Sequence, residues 1–503
     1  MAIEREIKLI ADVDLILPDF TDLLPGLTVG PASTLQLGAT YYDTPSLSMA
    51  RSGVTLRSRT GEPGPIWTLK LPATSDGTEL SRHEYTFDEP LGAVPLAARQ
   101  AARAYVRSQR LDPVVRLHTE RSQFALELDG DTLATVCDDL VVSDGGTEPV
   151  GSFREIEVEF AAGLVKRKTV EAIRSCLRGT GCRDDETPVP KAVRALGPRA
   201  FEPPDVVVTS IDKRVTTRML IRHVIATSVR PLIDRYTGVW IGDDPEELHQ
   251  FRVAARRLRS DLRTFAPLLD HNSTMWLRDE LSWLGDEVGR GRDTDVMTAR
   301  LRTHMARLPA DDAASVDRLL LRLADTADEA RGHVVEALAS DRFILLLEAL
   351  IVAASEPRFA TEPSGLAEQA AKPLVIDLID KPWRRLSRAV DALEPDSPDA
   401  ALHAVRIRAK RARYAVEAVA PLYGADARRL AKRIADVQSV LGDHQDTTVA
   451  EAWLRQAAKA VPSVRLVVGE LIALERLDRA RLREQFQAVW QRASRPKLRK
   501  WLD

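Results

Sequence analysis

The first 200 residues contain short segments in which apolar and charged residues alternate. Alternation places residues i, i+2 and i+4 on one face of a strand, so each segment predicts a strand with one apolar and one charged face. The segments are residues 3–9, 55–60, 67–71, 82–87, 124–129, 133–138 and 154–160, with Gly, Pro and Asp between them. Two further stretches, 96–109 and 165–178, have the periodicity of helices.

The pattern changes after GPRAFEPPD, residues 197–205, where three prolines and one glycine predict an interdomain linker. Beyond it, Ala-, Leu- and Arg-rich helical patterns continue to the end of the sequence. We therefore predict an α+β multidomain protein, with a strand-rich domain at 1–200, a linker at 201–206 and an all-α domain at 207–503. Breaks at 356–365 and 394–399 divide the helical domain.

The helical domain contains an internal repeat. The motif His-x-x-Arg-x-x-x-Arg/Lys-Arg-x-Arg begins at His249 and again at His403, 154 residues later. The motif Gly-x-x-x-Asp-Thr-x-Val begins at Gly289 and again at Gly442, 153 residues later. Two agreements in the same order indicate a duplicated helical unit, with halves at about 207–355 and 366–503.

The composition fits this division into domains. A chain of 503 residues exceeds the size of one ordinary core, which supports at least two domains. The 44% of hydrophobic and 29% of charged residues are typical of a globular protein. The net charge of −3 is the small difference between 71 basic and 74 acidic residues. The distribution of charge along the chain is therefore more informative than its total.

Three features predict a cytoplasmic protein with no membrane partner. The cysteines Cys137, Cys176 and Cys182 are too few for a disulfide framework and are expected to be reduced thiols. The chain opens with MAIEREIKL, which lacks the basic and apolar regions of a signal peptide. The most apolar run, residues 343–354, includes Glu348 and is too short to span a bilayer, so it predicts a buried helix.

The charged faces of the predicted strands carry both signs. In the first strand, Glu4, Glu6 and Lys8 share one face. The same alternation pairs Arg57 with Arg59, Arg82 with Glu84, and Glu155 with Glu157 and Glu159. A solvated surface explains one such strand. For seven strands, a closed antiparallel barrel with apolar residues outside and charges lining the interior fits better.

Carboxylates and basic side chains in one interior suggest a site for phosphate chains. Mg²⁺ usually takes one or two carboxylates together with water and substrate phosphates. Arg and Lys bind phosphate oxygens, and Arg does so through two parallel N–H bonds. The strand pattern therefore suggests a site for a complex of a metal ion with a polyphosphate.

The strand-rich domain also carries an ordered series of motifs. Glu4-Arg-Glu6-Ile-Lys8 comes first, followed by Tyr42-Asp43-Thr44-Pro45 and Gly53-Val-Thr-Leu-Arg57-Ser-Arg59. Then come Trp67-Thr-Leu-Lys70, Arg82-His-Glu84, Arg121, Arg154-Glu-Ile-Glu157-Val-Glu159 and Pro190-Lys191-Ala-Val-Arg. This series, which covers about residues 1–200, resembles the CYTH family, the triphosphate tunnel metalloenzymes, whose signature is ExExK.

The resemblance implies an eight-stranded antiparallel tunnel with flanking helices, which binds a triphosphate-bearing substrate with Mg²⁺ or Mn²⁺. It implies catalytic roles for Glu4, Glu6 and Lys8. The implied metal ligands are Glu4, Glu6, Asp138, Glu157 and Glu159, with Asp139 left open as the alternative to Asp138. The implied substrate-binding residues are Lys8, Arg57, Arg59, Lys70, Arg82, Glu84, Arg121 and Lys191.

Metal-dependent hydrolysis of inorganic triphosphate or short polyphosphate is the function that we expect of this domain. The CYTH family also contains class IV adenylate cyclases, but no segment of this sequence indicates a pocket for a base. A non-catalytic polyphosphate-binding protein is the other alternative. The sequence leaves open the substrate chain length, thiamine triphosphate or nucleotides as substrates, the choice between Mg²⁺ and Mn²⁺, and the oligomeric state.

Both copies of the helical repeat place basic residues on one helix face. In the first copy, His249, Arg252, Arg256 and Arg259 fall within an arc of about 80°, and the second copy repeats this arrangement from His403. Solvated helix faces normally mix charges at i and i+4, where like charges are destabilising. Basic ridges in both copies therefore predict an anion-binding site.

The two basic motifs resemble the signatures of the CHAD domain, a helical module commonly fused to CYTH domains. The resemblance covers roughly 207–503 and implies two pseudo-symmetric antiparallel bundles, whose basic ridges face each other across a polyphosphate-binding groove. The implied binding residues are His249, Arg252, Arg256, Arg257, Arg259, His403, Arg406, Lys410, Arg411 and Arg413. Asp293 and Asp446 also match the family, and we interpret them as helix caps or ion-pair partners of the arginines.

Nucleic acid and membrane are less favoured ligands for these ridges. Nucleic-acid readers usually add aromatic side chains for base stacking, and the basic faces contain none, although Tyr414 directly follows the second ridge. A membrane-binding helix would expose apolar residues opposite its basic face, whereas here they are predicted to pack inward.

Overall fold

The protein is described by a computed structural model that covers residues 3–61, 63–64, 66–72, 80–144, 151–161, 165–184, 189–242, 244–361 and 365–502. The chain divides into two compact units, Met1–Asp205 and Val206–Asp503. The first unit contains an antiparallel sheet with short helices, and the second is helical. The predicted α+β class is therefore confirmed.

The first unit has ten strands and five short helices in its described part. The strands are β1 (Ile3–Ala11), β2 (Leu27–Val29), β3 (Ser33–Asp43), β4 (Thr55–Thr60), β5 (Trp67–Pro72), β6 (Leu80–Phe87), β7 (Asp112–Leu128), β8 (Asp131–Asp144), β9 (Ser152–Phe160) and β10 (Arg183–Asp184). The helices are α1 (Ser48–Arg51), α2 (Leu96–Ala101), α3 (Arg103–Val106), α4 (Arg167–Gly179) and α5 (Lys191–Leu196).

The sheet closes on itself, and we call the closed sheet the barrel. Strand pairing runs in the order β1, β6, β5, β4, β3, β7, β8, β9, and β9 pairs again with β1. The short strands β2 and β10 pair with β7 and β1 outside this path. The sheet thus has ten strands, whereas the family resemblance implied eight, because it includes these two short additions.

The outer apolar face of the barrel packs against α4. Ile7, Val136 and Val158 belong to one buried cluster with Ile173 and Leu177 of that helix. These strand residues alternate with the charged ones, as the sequence pattern predicted. The charged residues that alternate with them, Glu6, Lys8, Glu157 and Glu159, are thereby directed to the interior.

Helix α5 fills part of the barrel interior. Its residues Val193 and Leu196 form a buried cluster with Tyr41 of β3, Leu117 of β7 and Val141 of β8. The interior is therefore apolar where α5 packs and charged elsewhere. Along residues 115–117 of β7 the interior face is likewise apolar, and Arg116 between them is exposed.

The second unit consists of helices whose positions repeat along the chain. Its helices are α6 (Thr217–Asp234), α7 (Tyr236–Ile241), α8 (Pro245–Thr264), α9 (His271–Met305), α10 (Ala313–Ala339), α11 (Asp341–Ser355), α12 (Ala371–Asp391), α13 (Asp399–Ala418), α14 (Ala420–Tyr423), α15 (Ala425–Ala460) and α16 (Arg465–Ala493). Helices α6, α8 and α9 begin 154 residues before α12, α13 and α15. The structural repeat therefore has the same offset as the first repeated motif.

The apolar run at residues 343–354 lies within α11, and most of its large side chains are buried, as predicted. Across the described ranges, no helix combines the length and hydropathy needed to cross a bilayer. The cysteines Cys137, Cys176 and Cys182 are free.

Gly61, directly after β4, provides a test of the barrel backbone. Its φ is +101°, and a Cβ at this position would lie 2.0 Å from the carbonyl oxygen of Gln36. We expect Gly61→Ala to lower the free energy of unfolding by about 1–3 kcal/mol or more. Urea denaturation of the full chain, followed by circular dichroism, measures this loss. Gly92→Ala is the control, because nothing lies within 4 Å of its Cβ position. Equal stability of the two variants would show that the close approach of Gln36 does not constrain position 61.

Candidate functional site

The charged interior of the barrel forms a cavity of about 300 Å³. Seven strands and α5 contribute charged side chains to its wall. These are Glu6, Lys8, Arg57, Arg59, Lys70, Glu84, Arg121, Asp139, Glu157, Glu159 and Lys191. Alternation along each strand selects which side chains enter, and closure of the sheet brings them together.

The strand register places opposite charges side by side. Lys8 of β1 lies directly across from Glu157 of β9, and Arg121 of β7 lies across from Asp139 of β8. Cross-strand neighbours have Cβ atoms about 4.5–5.5 Å apart, close enough for ion pairs. The register therefore gives each of these cavity cations a carboxylate neighbour.

Glu157 is the most heavily contacted carboxylate in the cavity. Its Oε1 accepts a hydrogen bond from Lys8 Nζ, and its Oε2 lies 2.9 Å from Lys191 Nζ and 3.2 Å from Arg121 Nη2. Burial alone would raise the pKa of Glu157, but Lys191, Lys8 and Arg121 hold the pKa well below its ordinary value of 4.5. Glu157 is therefore charged and acts as the common counter-ion of three cations.

Asp139 organises the same cations from the other side. Arg121 donates two hydrogen bonds to its carboxylate, at 2.8 and 2.7 Å, and Lys191 Nζ lies 2.5 Å from Oδ2. Burial would lower the pKa values of Lys8, Arg121 and Lys191, but the surrounding carboxylates raise them above their ordinary values. All three side chains are therefore positively charged at neutral pH.

Two further pairs occupy the wall formed by β3 to β6. Lys70 Nζ lies 2.7 Å from Glu84 Oε2. Arg57 Nη1 lies 3.5 Å from the hydroxyl oxygen of Tyr41. Burial would raise the pKa of Tyr41, but the Arg57 guanidinium lowers it. Tyr41 is a cavity residue that the sequence pattern did not predict, because β3 has no charged face to reveal it.

Three carboxylates form a group that is suited to a metal ion. One oxygen from each of Glu6, Glu157 and Glu159 lies within 4.8 Å of the others. Glu6 and Glu159 are cross-strand neighbours on β1 and β9. Within the described ranges, this is the one group of three or more potential ligands, and all three residues were among the expected metal ligands.

Asp138 lies outside the cavity, so its expected role as a metal ligand does not fit the structure. Arg154 donates to both of its carboxylate oxygens, at 2.8 and 2.7 Å, and also donates to the backbone carbonyls of residues 12, 13 and 15. Its neighbour Asp139 faces the interior because adjacent residues point to opposite faces of a strand. The side chains of Glu4 and Arg82, two other expected site residues, lie outside the described residues.

A basic groove lies between α8 and α13 in the helical unit, and we call it the central groove. Two adjoining cavities of about 270 and 440 Å³ form it and share Arg256, Arg259, His403 and Lys410. Arg252 and Arg406 line the first cavity and Arg411 the second. Seven of the ten residues expected to bind polyphosphate therefore line this groove.

In each repeat, an aspartate of the first cavity interacts electrostatically with the first arginine of the basic motif. Arg252 Nη1 lies 2.6 Å from Asp293 Oδ1, so Asp293 is an ion-pair partner of an arginine, as interpreted from the sequence. In the second repeat, Asp446 raises the pKa of Arg406, although burial lowers it overall. Gly289 and Gly442 leave space beside these guanidinium groups, because Arg252 and Arg406 are the nearest side chains to their Cβ positions.

Lys410 lies near four arginines of the central groove. Its burial, together with Arg406, Arg256, Arg252 and Arg259, lowers its pKa to about 7. An ordinary lysine has a pKa near 10.5, so the groove makes protonation of Lys410 costly. A bound anion would remove this cost.

The other three residues expected to bind polyphosphate do not line the central groove. Arg257 and Arg413 both pair with Glu417, at 3.4 and 2.7 Å, and His249 does not line the groove cavities. The groove instead includes Arg278 and Tyr414, which were not expected from the sequence. The Tyr414 hydroxyl accepts a hydrogen bond of 3.0 Å from Arg256 Nε, which orients this arginine.

Both units have counterparts in known families. A family model for the CYTH domain matches residues 2–203, and one for the CHAD domain matches residues 224–455. Uncharacterized protein Rv2226 of Mycobacterium tuberculosis (strain ATCC 25618 / H37Rv) is 30% identical over 522 residues, which cover 97% of this chain and 95% of the mycobacterial one.

Two solved structures are also similar to parts of the chain. PptA from Streptomyces chartreusis matches with 25% identity and a TM-score of 0.47, over 55% of this chain and 100% of its own. The crystal structure of the CHAD domain from the plant Ricinus communis matches with 27% identity and a TM-score of 0.44, over 59% of this chain and 95% of its own.

The lowered pKa of Glu157 predicts how stability depends on pH. Its folded pKa lies below the ordinary value of 4.5, so its charge stabilises the fold above pH 4.5, and this contribution is lost as pH falls below that value. We expect Glu157→Gln to cost about 3–5 kcal/mol of unfolding free energy at neutral pH, because three buried cations lose the one carboxylate that they share. The cost should shrink below pH 4.5, measured by denaturant titration. The exposed Glu89→Gln is the control, and a pH-independent cost would refute the assignment.

Proposed function

The chain belongs to the family of proteins that join a CYTH domain to a CHAD domain, and from this premise we propose that it is a metal-dependent triphosphatase that also binds polyphosphate. The barrel hydrolyses inorganic triphosphate or short polyphosphate, and the central groove holds longer chains. The observation that carries this proposal is the barrel cavity, where a group of three carboxylates lies beside six cations. We also propose that the protein is cytoplasmic, because its three cysteines are free, as is usual in that reducing compartment.

The donor chemistry of the carboxylate group fits Mg²⁺ or Mn²⁺. Both ions prefer hard oxygen ligands, and Glu6, Glu157 and Glu159 supply only these. We add Glu4 to these proposed metal ligands because it is the first glutamate of the ExExK motif. A cation bound there would neutralise charge on phosphate oxygens and lower the pKa of a bound water molecule.

The cavity cations provide the phosphate contacts. Lys8, Arg57, Arg59, Lys70, Arg121 and Lys191 line the cavity together. Several of these cations contact carboxylates of the protein. Phosphate oxygens of a substrate would replace these carboxylates or bind the cations beside them. Asp139 has a positioning role, since it holds Arg121 and Lys191 at hydrogen-bond distance.

Hydrolysis requires a water oxygen to attack the terminal phosphorus while the bond from that phosphorus to the bridging oxygen breaks. The bridging oxygen leaves with the rest of the chain, and the water gives up a proton. We assign Glu6 as the carboxylate that orients this water and accepts the proton. Arg57 and Arg59 stabilise the charge that develops on the phosphate oxygens, an interaction for which one donor typically contributes about 2.7–4 kcal/mol.

Glu6→Gln tests the catalytic assignment. We expect kcat for phosphate release from tripolyphosphate with Mg²⁺ to fall by at least about 100-fold, while circular dichroism shows an intact fold. Glu120→Gln is a matched control, because Glu120 is exposed on the outer face of β7. Full activity of Glu6→Gln would refute the role. Cyclic AMP formation from ATP by the unmodified protein would favour the cyclase alternative instead.

The central groove is proposed to bind polyphosphate because its cations outnumber its acidic groups. Arg252, Arg256, Arg259, Arg406 and Lys410 line one cavity, against three aspartates. Closely spaced phosphates would bring the missing negative charge. Burial lowers the pKa of Lys410, and the neighbouring arginines lower it further.

The pKa of Lys410 predicts a pH-dependent affinity. In the free protein this pKa is about 7, and a bound polyanion raises it by stabilising the charged form. Binding therefore takes up a proton above pH 7, and affinity should fall by up to about tenfold per pH unit there. Fluorescence anisotropy with labelled long-chain polyphosphate at pH 6 to 9 measures this. Lys410→Arg, which stays charged, should flatten the profile, and an unchanged profile would exclude Lys410 as its source.

A further inference from the structure

A third cavity of about 630 Å³ lies in the helical unit between α8, α12 and α13, and we call it the α12 pocket. Its cationic residues are Arg263, Lys381, Arg385, Arg388, Arg408 and Arg411. Among the described residues that line it, none is acidic. No role was predicted for α12 from the sequence, and of these six residues only Arg411 was expected to bind phosphate.

The α12 pocket continues the central groove. It shares Ser260, Arg263 and Arg411 with the larger groove cavity. On α8, the positions 252, 256, 259 and 263 follow i, i+4, i+7 and i+11, so these four arginines lie on one face over about 16 Å. This basic ridge therefore runs without interruption from the central groove into the α12 pocket.

The α12 side of the pocket is also a single basic face. Lys381, Arg385 and Arg388 follow i, i+4 and i+7 and span about 10 Å of helix. In the part of the chain that the structure describes, no carboxylate lies within ion-pair distance of these three, whereas Arg384 on the same helix pairs with Asp380. Like charges four residues apart are destabilising, and a bound anion would offset this.

The α13 wall of the pocket also brings like charges together. Burial lowers the pKa of Arg411, and the nearby guanidinium groups of Arg263, Arg408, Arg259 and Arg385 lower it further. These arginines come from α8, α12 and α13, so three helices direct positive charge at one space. The charge excess is therefore a property of the folded unit rather than of one helix surface.

The repeat shows that this basic face is specific to α12. Helix α6 begins 154 residues before α12, and at this offset the residues that correspond to Lys381, Arg385 and Arg388 are Thr227, Pro231 and Asp234. The duplicated fold therefore does not require cations at these positions. One half carries them and the other does not.

Polyphosphate fits the pocket better than nucleic acid does. Proteins that track single-stranded nucleic acid usually combine cations with aromatic side chains for base stacking, and the uncharged side chains of the α12 pocket in the described chain are Ser260, Thr264, Pro267, Leu378, Pro382 and Ala389. Inorganic polyphosphate has no bases and needs only closely spaced cations.

We propose that the α12 pocket binds the phosphates of a polyphosphate chain that extends beyond the central groove, so that Lys381, Arg385 and Arg388 give the helical unit its preference for long chains. This inference rests on the proposed polyphosphate binding of the central groove. Short chains occupy the groove alone, and long chains contact both.

The test compares chain lengths in the full-length protein. The background carries Arg57→Ala and Arg59→Ala, which remove phosphate contacts from the barrel cavity. Labelled long-chain polyphosphate is displaced by unlabelled tripolyphosphate or by unlabelled long-chain polyphosphate, and anisotropy is recorded at several salt concentrations. The test variant is Lys381→Ala/Arg385→Ala/Arg388→Ala. The control, Arg384→Ala/Arg429→Ala/Arg433→Ala, removes the same charge from exposed residues that pair with neighbouring aspartates.

We expect the test variant to lose about tenfold or more in affinity for the long chain and to show a shallower salt dependence, with its affinity for tripolyphosphate unchanged. The control should keep both affinities. A test variant that binds the long chain as well as the control does, or that loses both lengths equally, overturns the inference while leaving polyphosphate binding intact.

Two other outcomes distinguish an error in the proposed function of the central groove from an error in the inference about the α12 pocket. If the background protein binds neither length, the proposed function of the groove is wrong and the inference falls with it. If single-stranded RNA displaces the long chain at equal phosphate concentration, the pocket is a nucleic-acid site and the inference is wrong.

Discussion

Charge compensation around Glu157 underlies the arrangement of the whole barrel site. A buried carboxylate is costly unless cations and hydrogen bonds surround it, and Glu157 has Lys8, Lys191 and Arg121. These cations come from β1, α5 and β7, which are far apart in the sequence. Only the closed sheet, with α5 inside it, brings them to one carboxylate. The fold and the site therefore depend on the same contacts.

The central groove meets the same requirement in a different way. Its arginines and Lys410 gather where aspartates are too few to balance them, and among the described residues of the first cavity Arg252 is the one with a close ion pair, to Asp293. The cost appears as the lowered pKa values of Lys410 and Arg406. In the barrel, protein carboxylates balance the charge of the cations. Under the proposed function, a polyphosphate chain would bring the counter-charge to the groove.

The sequence predicted the charged strand faces because the alternation of apolar and charged residues can be seen without knowing which strands pair. It failed where alternation of charge is absent, as in β3, whose interior residues include Ala39 and Tyr41. It also could not choose between Asp138 and Asp139, because a shift of one residue moves a side chain to the opposite face. The six-residue helix α5 is too short to show a period. In the helical unit, Arg278 and the α12 pocket depend on contacts between helices, which a single helix pattern cannot reveal.

The helical repeat explains why the two halves of the groove need not act alike. Arg257 and Arg411 occupy equivalent positions at the offset of 154, yet Arg257 pairs with Glu417 and Arg411 lines the basic cavities. The same contrast separates α6 from α12. Asp234 of α6 pairs with Arg230, whereas the equivalent residue of α12 is Arg388, which has no carboxylate within ion-pair distance in the described chain. Duplication alone would give a symmetric site for a short anion. The difference between the two halves gives the groove a direction, which fits the proposed binding of a chain longer than the groove.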